Sequence, residues 1–133
     1  MPTIIEKPAI EISPDILQEL KTLIHEEGQV VVHCLFNNMH PVFDSWIRIW
    51  PSTFLYDKGS SHRSELVHTE HITLAPEWTL VPGFSSYFFT LIFSGLPTSC
   101  TVFDLVEDAQ GGTGAFEVRN VNRNNQDVYY VRF

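Results

Sequence analysis

The chain has 133 residues, 44% of them hydrophobic and 18% charged, the usage of one globular domain rather than of a disordered or fibrous segment. Sixteen acidic residues against eight Lys and Arg give a formal net charge of −8, the wrong sign for a surface that neutralises phosphates, which argues against nucleic acid and anionic membranes as partners. No apolar run approaches the roughly 20 residues that cross a bilayer, and "MPTIIEKPAIEISPDILQEL" lacks the basic and apolar regions of a secretory signal, so a cytoplasmic protein without membrane insertion is expected.

Residues 1–12 hold two small apolar clusters, "TII" and "AIEI", on either side of Pro8, and read as an extended arm or a short edge strand. Ser13 and Pro14 then fit the N-cap and first position of a helix. Ile16, Leu17, Leu20, Leu23 and Ile24 repeat at helical spacing, and Gly28 supplies the stop. After Gly28 the periodicity changes. "QVVVHCLF" (29–36), "SWIRIW" (45–50) and "STFLYD" (52–57) are rich in β-branched and aromatic residues and are bounded by turn formers. "KGSSHRS" (58–64) reads as a loop and "ELVHTEHITLA" (65–75) as one or two short strands. Further strands are expected at 87–93, 101–107, 115–121 and 128–133, with "QGGTG" (110–114) and "NRNNQ" (122–126) as hairpin turns.

Seven or eight strands with one helix ahead of them all, and none between them, predict an all-β protein, specifically an antiparallel β-sandwich with one N-terminal α-helix. The division is one domain, 1–133, with arm and helix at 1–28 and the sandwich at 29–133. Cys34 and Cys100 are expected to be reduced core residues. The order Cys34, Trp46, Cys100 has the form seen in immunoglobulin domains, but Cys100 has the opposite strand parity to Phe103 and Leu105, which argues against an inward-facing bridge.

The succession "WIRIWPSTFLYD", "ITLAPEW", "FTLIFSGLPTSCTVFDLVE" and "FEVRNV" resembles a type of uncharacterised bacterial immunoglobulin-like domain that also occurs in front of thioredoxin-like domains in envelope proteins. The resemblance spans residues 29–133 and is most specific at 89–107. It implies an immunoglobulin-like sandwich of accessory type without a known active site. No thioredoxin-like module is present in this sequence, and no role is carried over from that neighbour.

Four groups of residues invite a chemical reading. His68, Glu70 and His71 form the densest run of metal-ligating side chains, but strand alternation puts His68 and Glu70 on one face and His71 on the other, fewer than the three ligands of a catalytic zinc site. Asp104, Glu107 and Asp108 could serve hydrolysis only if Asp57, Glu65 or Glu70 were folded beside them, and are expected instead as solvated charges. Cys34 follows His33 inside a strand, where neighbours point to opposite faces, so no nucleophile pair is read there.

The fourth group is Trp46, Arg48 and Trp50. If Ile47 and Ile49 face the core, the opposite face presents an arginine between two indoles, the composition of binding hot spots. Either the apolar stripe of the N-terminal helix lies across that face and covers it, or a partner does. The function expected from the sequence is therefore a non-enzymatic binding or assembly module with no cofactor. Its partner is another protein or, as a homodimer, a second copy. A small metal-dependent or carboxylate-based hydrolase on a β-sandwich is the alternative.

Overall fold

The computed structural model describes Thr3–Ile4, residues 28–109 and residues 115–133. The expected helix and the 110–114 turn lie outside the described residues. Those described are all-β, in ten strands: β1 (Thr3–Ile4), β2 (Val30–Asn38), β3 (Ser45–Ile47), β4 (Thr53–Asp57), β5 (Arg63–Glu70), β6 (Thr79–Val81), β7 (Ser85–Phe93), β8 (Val102–Glu107), β9 (Glu117–Asn122) and β10 (Val128–Arg132). No described helix is long and apolar enough to cross a membrane.

Eight strands form one sheet in the order β1-β10-β2-β7-β5-β4-β8-β9, and β3 and β6 form a separate two-stranded ribbon. The sheet is mixed, not antiparallel throughout, because β10 runs parallel to β2 with Val128 opposite Val31 and Arg132 opposite Leu35. All the other strand pairs are antiparallel. β5 is the corner. Its first residues pair with β4 and its last with β7, with a bulge between Leu66 and His68; a bulge sharpens the local bend and lets one strand serve two differently oriented halves.

Bent at β5, the sheet rolls until its ends face one another. Phe103 of β8 meets Tyr129 of β10 edge to face, centroids 5.0 Å apart, and Phe116, just before β9, packs on Phe36, Phe89 and Phe133. One core fills the roll, built from Val30, Val32 and Cys34 of β2, Phe89, Leu91 and Phe93 of β7, Leu55 of β4, and Phe103 and Leu105 of β8. β2 and β7 are buried on both faces over much of their length, which explains why their sequences read as nearly continuous apolar runs instead of alternating. Both cysteines are buried and free.

Two connections differ from expectation. "NRNNQ" is not a hairpin, since β9 pairs with β8 and β10 with β1 and β2; the segment crosses from one edge of the rolled sheet to the other half. Its polar residues hold that arch together. Arg123 grips the Asp127 carboxylate through Nε and Nη2, at 3.1 and 3.0 Å, and donates to the carbonyls of Pro97 and Cys100. Asn124 accepts from the N–H groups of Gln126 and Asp127. The 58–64 loop is shorter than expected because β5 begins at Arg63, whose guanidinium stacks on Phe54 at 4.1 Å.

Candidate functional site

β3 and β6 sit at the end of the roll where β2 finishes. Asn38, the last residue of β2, is buried and its amide nitrogen reaches the carbonyls of Phe43, Val81 and Pro82 at 3.1–3.2 Å. It thereby clamps the loops before β3 and after β6 together. His40 extends the clamp, with its Nδ1 accepting from the N–H groups of Val42 and Phe43 and its carbonyl from Phe84. Asp44 accepts from Gly83. A side chain at Gly83 would strike the His40 carbonyl, so only glycine lets the two loops approach this closely.

With their backbone groups satisfied inward, these loops turn their apolar side chains out. Met39, Val42, Phe43 and Phe84 are each 66–74% exposed. The exposed strip continues along the ribbon through the cross-strand pair Trp46 and Leu80 to Trp78 and Leu74. Adjoining large apolar side chains held on a rigid backbone and left in water are characteristic of interaction surfaces, not of an ordinary solvated face.

The alternation read from "SWIRIW" holds. Ile47 and Ile49 are buried in the core, whereas Trp46 is 59% exposed and Arg48 and Trp50 are half-buried. β3 itself ends at Ile47, and beyond it Ile49 only bridges to Leu74. The Arg48 guanidinium lies 3.8 Å from the ring centroid of Trp78 and 5.0 Å from that of Trp50, and its Nη1 donates to the Pro76 carbonyl. The indole that Arg48 contacts most closely is thus Trp78. Trp46 instead stands beside Leu80. Trp78 escaped the sequence reading because it lies 30 positions beyond Arg48 and outside any recognisable strand pattern.

Two acids expected in solvent are buried. Glu107 lies inside the roll beneath Trp50, accepting from the N–H groups of Trp50 and Phe116 at 2.8 and 2.9 Å. Burial pushes its carboxyl above the ordinary range, although those two donors and Arg48 pull the other way. Asp104 is buried on the other face of β8. Burial raises its carboxyl, but the Asn120 N–H with Lys58 and Arg119 outweighs it and holds the group below the ordinary range. Each acid is therefore the acceptor for a backbone segment: Glu107 fixes the start of β4 and the approach to β9, and Asp104 fixes a left-handed residue at Asn120. Asp57 is occupied with Gly59 and Ser60. The three do not make an acid/base pair.

His68 and Glu70 do share a face, with Nε2 and Oε1 2.6 Å apart in solvent. His71 turns away at φ 63°, its carbonyl accepting from the Tyr87 hydroxyl. Among the described residues no third His, Cys, Asp or Glu joins the pair. Compared with known protein families, curated proteins and solved structures, the chain finds no match.

Proposed function

We propose that this protein is a non-enzymatic binding module whose working surface is the exposed strip Phe43, Trp46, Leu80, Trp78 and Phe84, with Arg48 and Trp50 at its inner edge. The observation that carries the reading is the pairing of exposure with order: the loops are tied internally by Asn38 and His40, yet their large side chains are in water. A surface ordered before binding loses little conformational entropy on docking, which is where affinity is usually spent. Trp and Arg are the residue types most enriched among those that dominate binding energy.

The partner is a protein, either foreign or a second copy of this chain. Within this proposal the fold is read as an immunoglobulin-like sandwich, supported by two halves, β1-β10-β2-β7 and β4-β8-β9, packed around one core. The test compares wild type with a Trp46→Asp/Phe84→Asp variant, folding being verified by its unfolding midpoint. Concentration-dependent sedimentation reads self-association, and affinity capture reads foreign partners. Loss of either interaction in the variant supports the surface. A wild type that binds neither, or a variant that binds as before, refutes it.

A further inference from the structure

The aromatic strip carries a charge pattern as well as an apolar one. Asp44 stands between Phe43 and the start of β3, and Glu77 beside Trp78; both are exposed. Neither has an ion-pair partner among the described residues. Asp44 accepts the Gly83 N–H through Oδ1, at 3.2 Å. A third exposed acid, Asp108, is tied to Ser52, two residues after Trp50, through its own N–H and carbonyl.

The cation of the ribbon and its loops is Arg48, and it is already engaged. Its guanidinium lies on Trp78 and Trp50 and donates to the Pro76 carbonyl. Lys58, Arg63, Arg119, Arg123 and Arg132 belong to other elements. A visitor therefore meets apolar rings with acids at their margin. Arg48 also shows what these rings accept, since a guanidinium 3.8 Å from an indole centroid is held by the ring's negative face. Trp46 is 59% exposed, and among the described residues no cation lies on it.

This pattern separates the two partners considered above. In a symmetric pair of copies the same patch lies on both sides. Acids at the margin of one strip would face those of the other, in two bodies each of net charge −8. Like charges work against such a contact, and opposite charge favours and speeds it.

We propose that the strip takes a basic segment of another protein, its apolar side chains on Phe43, Trp46, Leu80 and Phe84 and its Arg or Lys side chains on the exposed indole of Trp46 and against Asp44 and Glu77. The inference rests on the strip being the working surface and adds the chemistry of what fits it. Arginine suits the rings better than lysine, because its planar guanidinium stacks on an aromatic face.

The test uses the full chain and three synthetic hexapeptides at millimolar concentration, alternating leucine with arginine, with serine or with glutamate. Binding is read from the indole resonances of Trp46 and Trp78. The arginine peptide should bind about tenfold tighter than the serine peptide at low salt and lose that advantage at high salt, and the glutamate peptide should bind weakest. Asp44→Asn/Glu77→Gln, in which both amides keep an acceptor oxygen, should bring the arginine peptide down to the serine peptide's affinity. Arginine-peptide binding that ignores this variant would overturn the inference, as attraction to the net charge at large. Three peptides bound alike, and all lost in Trp46→Ser/Phe84→Ser, would overturn it while sustaining the surface. So would sedimentation showing wild type paired through the strip, which would give the strip to a second copy. Indoles that no peptide moves would refute the surface and the inference together.

Discussion

Two apolar surfaces of this molecule face away from its core, and they have opposite fates. On β10, β2 and β7 the outward apolar cluster is built on the β-branched Val31, Ile92 and Val128, and these are buried. On the β3–β6 ribbon and its loops they are Trp, Phe and Met, and they are exposed. The burial of the first set is part of the fold. The second gives large side chains that reach outward from a backbone already satisfied by Asn38 and His40, so its exposure costs the fold little. Hydrophobicity alone does not distinguish structure from recognition. Side-chain reach and backbone satisfaction do.

Charge placed on each surface should break this contrast most sharply. Val31→Asp puts an unpaired carboxylate where exposure is 0% and should cost about 4 kcal/mol or more, whereas Trp46→Asp should stay within about 1 kcal/mol of wild type in urea unfolding. Equal losses would mean that the strip is as structural as the covered face. Next comes the acid under the strip. Glu107→Ala strands the Trp50 and Phe116 N–H groups and should destabilise by about 3 kcal/mol, with a shift in indole emission; Glu107→Gln, which keeps an acceptor, should lose less.

Acid tests the outer face through His33, against an opposing contribution from Glu107, whose carboxyl is held above the ordinary range. His33 is held neutral, at about 4 against an ordinary 6.5, so between those values the unfolded chain binds more protons than the folded one. The contribution of His33 to stability should therefore rise with pH through this window and be lost as pH falls through it, by at most about 3 kcal/mol. His33→Phe should flatten that dependence, and an unaltered slope would remove His33 as its source. The smallest effect belongs to Arg48→Ala, which gives up the Trp78 and Trp50 contacts for about 1 kcal/mol of stability while changing Trp78 fluorescence.

How much of this was legible in the sequence depended on whether the signal was local. β4, β7, β8 and β10 were readable because strand alternation and β-branched runs arise from each segment's own contact with the core. β6 was not, since "TLV" is too short to show a period and owes its pairing to β3. The hairpin expected at 122–126 failed for a related reason: asparagines announce a turn but not which strands it joins. Within the site, the outward set Trp46, Arg48 and Trp50 followed from parity, but Trp78 against Arg48 and Glu107 under Trp50 are long-range encounters. Asp104 and Glu107 looked like surface charges because sequence shows a carboxylate and not the N–H groups that will need it. Asn38 carries no local signal of its role, because the carbonyls it holds belong to Phe43, Val81 and Pro82.

The place of β10 has a consequence for how the protein is made. This tenth strand slots between β1 and β2, parallel to a partner that precedes it by nearly a hundred residues. A ribosome delivers β2 and β7 well before it, and in that interval the β10-facing edge of β2 is open, apolar and in extended form. Pairings of such sequence separation form slowly and leave their edges exposed to other chains. Synthesis through Arg132 is thus the step that closes the sheet, and nascent chains halted at Asn122 should remain open to protease at β2 where those carrying β10 are resistant.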